Sequence, residues 1–326
     1  MNIRRRRLIA LGSAVLLLPC VVAAQPTRVY RVGWLGQGSL ATNAEFIDGV
    51  KKVLRVRGYI EGKNLAFEYR WAEGKSERFP SAAAELVALK PDVIVSGSTP
   101  GTSAIKRATA TIPTIMFGVA DPVGADFAAS LARPGGNITG QSNMARDMGA
   151  KNLELLHGLV PQAKRISVLM SDNPSHPVLL NEIRAAATAL GLTILPVVAR
   201  STSDFDRVFS EMRTAKSKAL IVIADALFIL NQKEIAERAN QSRLPAIYSY
   251  SNQVKAGGLI SYGPNPRNID EIVAGYIDKI LQGAKPGDLP IQQPTEFELA
   301  INLKTAKALG ITIPQDILLR ANEVIE

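Results

Sequence analysis

The sequence predicts an α/β protein of two similar doubly wound parallel-sheet lobes joined by a multi-strand hinge. Three observations lead there. Residues 93–95 (Val-Ile-Val) and 220–223 (Leu-Ile-Val-Ile) are apolar at consecutive rather than alternating positions, the pattern of strands buried on both faces. Such runs alternate with amphipathic segments of three or four helical turns, the order that builds a parallel sheet covered by helices. The whole succession then occurs a second time, at an offset that stays between about 127 and 135 residues, which identifies two copies of one unit.

The chain begins with Arg4 to Arg7, an apolar run over residues 8–18 and the small residues Val22, Ala23 and Ala24. A charged start, an apolar centre of export length and a small-residue cleavage site read as a signal peptide over residues 1–24, with a loosely twin-arginine character. Pro19 before Cys20 argues against a lipid anchor. The first unit then runs "RVGWLGQGS", "FIDGVKKVLRVRGY", "NLAFEYR", "RFPSAAAELVALK", "PDVIVSGS", "GTSAIKRATAT" and "IPTIMFGVADP" as strand and helix in turn. The second repeats it from Arg165: "RISVLMSDNPS", "LLNEIRAAATALGL", "TILPVVAR", "DFDRVFSEMRTAK", "ALIVIADAL", "KEIAERANQSR" and "LPAIYSYSN". Pro134, Gly135 and Gly136 end a helix and mark a joint, and a further crossing is expected in "KAGGLISYGPNP" with its Gly-Gly and two prolines. The helix "IDEIVAGYIDKIL" would return to the first lobe and "FELAINLKTAKALG" would complete the second. These breaks assign 25–142 with 257–284 to one lobe and 143–256 with 285–326 to the other.

Ligands of parallel sheets sit beyond the carboxyl ends of the strands. Two such lobes therefore face each other across a cleft, through the loops 36–43, 96–102 and 118–124 of one and 171–177, 224–228 and 248–252 of the other. Removing the signal peptide takes away four Arg and no acid, leaving 34 basic against 29 acidic residues, scattered and without a basic block beside aromatics. Nucleic-acid binding has no support in that pattern. With Cys20 gone no cysteine remains, which excludes thiol chemistry, and no His, Asp and Glu cluster has metal-ligand spacing. Neither a metal nor any other cofactor is expected.

The stretch "VIVSGSTPGTSAIK" (93–106) resembles three kinds of site and fits one. A phosphate loop would require Gly-Lys-Ser/Thr after Gly97, where Thr102, Ser103 and Ala104 stand. A nucleophile centred on Thr99 would draw an oxyanion donor from the next residue, Pro100, which has no N–H. A passive anion cradle survives: the helix start and the hydroxyls of Ser98, Thr99 and Thr102 suit a carboxylate, or serve as plain helix caps. Gly36-x-Gly38-x-x-Ala41 follows a strand like a dinucleotide loop, but no acid lies about 20 residues on, so Gln37 and Ser39 read as hydrogen-bonding groups of a ligand-facing turn. Asp121 and Asp225 each follow a strand, and either caps a helix or pairs with a ligand ammonium. Phe117, Phe228, Tyr248 and Tyr250 stand at or near strand ends, as core or as contacts for a planar side chain, and Asn173 is a turn residue with hydrogen-bonding capacity.

"GYIEGKNLAFEYRWAEG", "ELVALKPDVIVSGSTP", "IPTIMFGVADPVGADFAASLARPGGNITG", "AGGLISYG", "LPIQQPTEFELAINLKTAKALGITIP" and "RANEVIE" resemble the ABC-transporter substrate-binding proteins of the tryptophan/tyrosine type over nearly the whole mature chain. The resemblance implies the type I periplasmic-binding-protein fold, with two lobes, three crossings and hinge closure on a small ligand near 37–39, 98–102, Asp121 and Asp225. It implies a non-enzymatic periplasmic receptor that delivers its ligand to an inner-membrane ABC permease driven by a cytoplasmic ATPase. The expected ligand is a small carboxylate-bearing solute, most simply an amino acid, with aromatic ones among the candidates. An extracytoplasmic sensor and a dinucleotide-dependent enzyme are the rival readings.

Overall fold

The computed structural model describes residues 28–265 and 268–326; the expected signal peptide lies outside them. The first lobe runs β1 (Tyr30–Gly36), α1 (Leu40–Val56), β2 (Leu65–Trp71), α2 (Phe79–Ala88), β3 (Val93–Ser96), α3 (Thr99–Ala108), β4 (Thr114–Val119) and β5 (Ile138–Ser142). Its five strands are all parallel, in the order β2-β1-β3-β4-β5. The chain then continues with α4 (Ala145–Leu159), β6 (Arg165–Met170), α5 (His176–Ala189), β7 (Thr193–Val198), α6 (Phe205–Thr214) and β8 (Ala219–Val222). There follow α7 (Ala226–Leu230), α8 (Gln232–Gln241), β9 (Ala246–Tyr248), α9 (Ser251–Lys255) and β10 (Ile260–Pro264). After α10 (Ile269–Leu281), the chain ends with β11 (Phe297–Asn302), α11 (Leu303–Leu309), α12 (Gln315–Leu319) and β12 (Glu323–Ile325).

The second sheet reads β12-β11-β10-β9-β8-β6-β7. Taken from its far edge, β7-β6-β8-β9-β10 repeats the order of the first sheet, so the duplication seen in the sequence is a duplication of topology. The strands run parallel except where β11 lies antiparallel to β10. Residues 93–96 and 219–222 are buried at every position, as consecutive apolar runs in a twice-covered sheet require.

The structure moves two boundaries from where the sequence placed them. Residues 257–284 do not all return to the first lobe. Ile260 and Ser261 pair with Ile247 and Tyr248 at zero exposure, so β10 belongs to the second sheet and the crossing follows Pro264. The Gly-Gly that suggested a hinge is a turn into that strand, with Gly257 at a φ of 110° that favours glycine. Residues beyond 285 likewise stay longer with the first lobe. Gln292 donates to Gly140 and accepts from Ser142, both at 2.9 Å, beside β5, so the third crossing lies between Gln292 and Phe297. The first crossing follows β5 directly.

Each lobe has its own core. Trp34, Ile47, Val50 and Leu54 pack with Val273, Ala274 and Ile277 of α10, which fixes that helix on the first lobe although it follows a strand of the second. In the second lobe Phe205, Phe209, Leu220, Val222, Phe228 and Tyr248 form one cluster beneath α6 to α8. Tyr248 is fully buried and its hydroxyl has no hydrogen-bond partner. Burial alone pushes its phenol well above the ordinary range. A raised folded value means that the neutral ring stabilises fully below about pH 10 and that this contribution fades as pH rises further. Tyr248→Phe is therefore expected to be neutral, or stabilising by up to about 1 kcal/mol, at pH 7. It should also flatten the loss of stability above pH 10 in urea melts across that range.

Candidate functional site: the cleft between the lobes

The carboxyl ends of both sheets open on a cavity of about 230 Å³. The first lobe contributes Gly97, Ser98 and Thr99 after β3, Phe117 and Gly118 from β4, and Gln141 and Asn143 at the end of β5. The second contributes Asn173 after β6, Ala224 to Ala226 after β8, Ile229 and Gln232 from α7 and α8, and Tyr250 and Asn252 after β9. Pro264, Asn265, Ile269 and Pro294 line it from the second and third crossings. Among the described lining residues Asp225 bears the single formal charge, and none is Lys or Arg.

On the first lobe the polar feature is the start of α3. Ser98 is its N-cap, in extended conformation, and its Oγ accepts from Gly101 N at 3.2 Å. The opening N–H groups of a helix lack intrahelical acceptors, Pro100 has none, and Thr99 at the first helical position presents its own. Thr102 is a different case. Its hydroxyl donates 2.8 Å to Ser98 O and the residue is fully buried, so it closes the helix turn rather than reaching the cavity.

On the second lobe the polar feature is Asp225, whose side chain is 9% exposed. It caps α7, with Oδ1 accepting from Leu227 N at 2.9 Å. Its Oδ2 accepts from Ser171 Oγ at 2.9 Å and Asn173 Nδ2 at 3.1 Å. Fully buried His176 stands behind, with Nε2 3.6 Å from Oδ2. Nδ1 of His176 accepts from Ser171 N at 2.9 Å, which turns Nε2 toward Ala224 O and Asp225. Donors thus surround the carboxylate on its protein side and hold it oriented at the cavity wall.

The ring wall is set by the β4 bulge. Met116 pairs with Gly140 but Val119 with Ser142, so β4 carries one extra residue and twists outward there. Phe117 meets the cavity, backed by Phe46 and Trp34 at centroid distances of 5.0 and 6.0 Å. Tyr250 faces it from the other lobe; burial raises its phenol, so it stands neutral, with Asn143 Nδ2 3.4 Å from its oxygen.

Of the residues singled out in the sequence, the structure brings Ser98, Thr99, Phe117, Asn173 and Asp225 together. It leaves out six. Gln37 and Ser39 do not line the cavity: Ser39 caps α1 through Thr42, and the Gln37 carbonyl accepts from Gly74 N. Thr102 faces its own helix. Asp121 accepts from Gly124 N at 2.8 Å and lines a separate open depression with Glu182 and Gln293. Phe228 and Tyr248 are fully buried in the second core. Tyr250, weighed with the other strand-end aromatics, joins them at the cavity, whereas Gln141, Asn143 and Gln232 were not foreseen. Gln141 lies near the end of a fifth strand that the repeat had not included, and Asn143 follows it.

Residues 40–325 match the family model described as ABC transporter substrate binding protein. A tyrosine-binding protein of Clostridioides difficile (strain R20291) is 30% identical over 265 residues, 81% of this chain and 76% of that one. Among solved structures, an ABC domain in complex with L-Trp from Streptococcus pneumonia has a TM-score of 0.81 at 28% identity, covering 91% of this chain and 100% of that one. The ligand-free, open structure of a substrate-binding protein with adhesive properties from Clostridium difficile has a TM-score of 0.61 at 25% identity, covering 91% and 99%.

Proposed function

The chain belongs to the ABC transporter substrate-binding protein family, with the type I periplasmic-binding fold, and on that premise we propose that it is the extracytoplasmic receptor for a zwitterionic amino acid with an aromatic side chain. Members of this family are binding proteins rather than enzymes. The observation that carries the ligand class is the placement of one oriented carboxylate, Asp225, on a cavity whose other lobe presents a helix N-terminus and no basic side chain among the described lining. Asp225 pairs with the ammonium. The Thr99 N–H and the Ser98 and Thr99 hydroxyls take the carboxylate. Phe117 and Tyr250 contact the ring. The names of the relatives, one tyrosine-binding and one holding L-Trp, support an aromatic amino acid.

Closure by hinge motion is the second part of the proposal. Ser76 Oγ of the first lobe lies 3.4 Å from Asp172 Oδ1 of the second, and a Cβ on Gly38 would stand 3.0 Å from Leu230 Cδ1. The lobes therefore touch at the cleft mouth. At similar identity the chain superposes better on the Trp complex than on the open, ligand-free relative, which supports reading this arrangement as the closed form. Ligand would favour that population by bridging both lobes. A permease and its ATPase would receive the closed complex, and export would follow from the expected signal peptide.

Titration calorimetry with L-tryptophan and L-tyrosine, paired with small-angle scattering, tests both parts. Binding with a smaller radius of gyration is expected; binding without compaction removes closure, and no binding removes the ligand class. The ring wall gives a separate test. A Cβ on Gly97 would stand 2.5 Å from Phe117 Cζ, and Trp34 and Phe46 block that ring from retreating. Gly97→Ala should push the ring into the cavity and weaken binding by about tenfold, the effect of overpacking by one methyl. The unliganded melting temperature should stay within a few degrees.

A further inference from the structure

We propose that Gln232 reads the ligand side chain: its amide oxygen accepts a hydrogen bond from a ring N–H or O–H, so the cleft selects aromatic amino acids that carry a side-chain donor. The inference rests on the amino-acid reading above and extends it to the far end of the ligand.

Gln232 opens α8 and lines the cavity. Its Oε1 has no hydrogen-bond partner and next to no area open to the cavity, so the amide must turn about its last bond to meet a ligand. Among the described residues, six other buried side-chain polar atoms lack a partner, and none of them belongs to a residue lining this cavity. The polar neighbours behave differently: Asn173 spends its Nδ2 on Asp225 and its Oδ1 on Ser175, and Asp225 accepts three hydrogen bonds. A buried acceptor without a donor is costly, and any ligand that supplies the donor recovers that cost on binding. An analogue without the donor leaves it unmet, which is how sites built around a polar group reject the apolar counterpart.

Position along the cavity fits the same role. Asp225 caps the start of α7 and Gln232 follows its end. The five residues of α7 lie between the two positions along the chain. In tyrosine or tryptophan the ring donor is likewise far from the ammonium, whereas the hydroxyl of serine or threonine sits beside it. Between the two lies Ile229, with Phe117 and Ile269 from the other lobe, an apolar stretch suited to a ring.

The test compares two pairs of ligands that differ by the donor alone or nearly so: L-tyrosine with L-phenylalanine, and L-tryptophan with 3-benzothienyl-L-alanine, in which sulfur replaces the indole N–H. Dissociation constants are measured for the wild-type protein and for Gln232→Met, which keeps length and loses the acceptor. In the wild type the donor-bearing member of at least one pair should bind about ten- to a hundredfold more tightly. In Gln232→Met that ratio should fall to within about threefold, with the donor-less ligand bound as before. The pair that shows the ratio identifies the ring as phenol or indole. A wild-type ratio near one in both pairs, a ratio that survives in Gln232→Met, or an equal loss for both members of a pair would each overturn the proposal. If none of the four ligands binds the wild type, the amino-acid reading is itself wrong and this inference goes with it.

Discussion

Asp225→Asn should weaken the binding of the amino acid at least thirtyfold while the protein stays folded. Asn caps a helix about as well as Asp, so its Oδ1 keeps the bond from Leu227 N. The other oxygen becomes an NH2 that faces the donors Ser171 Oγ and Asn173 Nδ2, and the charge opposite the ammonium is gone. Removing one member of a buried, hydrogen-bonded charge pair costs about 2–5 kcal/mol. Calorimetry should show this for the intact amino acid. Asp121→Asn is the matched control: Asp121 turns away to Gly124 N and the open depression, so its substitution should leave affinity within about threefold. Equal affinity for wild type and Asp225→Asn would remove the ammonium site from the account.

Gly140→Ala should be the most damaging single methyl in the first lobe. Gly140 has a φ of 133°, where an L side chain is strained, and a Cβ there would stand 2.0 Å from the Met116 carbonyl oxygen. Neither strand can give way cheaply, because Gly140 lies where β4 bulges against β5 and where Gln292 donates to its carbonyl. Strain and overpacking together cost about 2–6 kcal/mol. Urea melts should show the midpoint falling accordingly. Gly136→Ala, with nothing within 4 Å of the added carbon, should change stability by no more than about 0.5 kcal/mol. A Gly140→Ala protein as stable as the wild type would mean that the β4–β5 contact, and with it the wall carrying Phe117, is looser than the structure shows.

Much of the architecture was legible because it rests on period and repetition. Residues 93–95 and 220–223 announce buried parallel strands, and the second copy of the strand and helix order announces the second lobe. The crossings were harder. A Gly-Gly pair beside two prolines marks a change of direction, but local turn chemistry does not say whether the chain enters a strand of the same sheet or leaves for the other lobe. The pairing of Ile260 with Ile247 and of Ser261 with Tyr248 decides that, and it is a long-range fact.

The site divides in the same way. Ser98, Thr99 and Asp225 stand directly after buried strands, where the topology itself aims residues at the cleft. Asp121 resembles Asp225 in following a strand, but it follows β4, whose counterpart in the second lobe is β9 and not β8, so the two do not hold equivalent places. Phe228 stands one residue before the cavity-lining Ile229 and Tyr248 two before Tyr250, a difference that side-chain direction settles and composition does not. Gln232 carried no signal at all, since a glutamine at a helix start is ordinary until its amide oxygen is found buried and unpaired.

The central claim is that the cleft recognises both charged ends of one amino acid, the ammonium at Asp225 and the carboxylate at the start of α3. Thermal shift with L-tryptophan, tryptamine and indole-3-propionate, each at the same concentration, tests it most directly, with the tyrosine series alongside. A ligand at about 100 times its dissociation constant adds roughly 2.7 kcal/mol, which moves the midpoint of a protein this size by several degrees. The account predicts that shift for an intact aromatic amino acid and almost none for the analogues lacking its carboxylate or its amine. Stabilisation by the deaminated acid equal to that by the amino acid would contradict it.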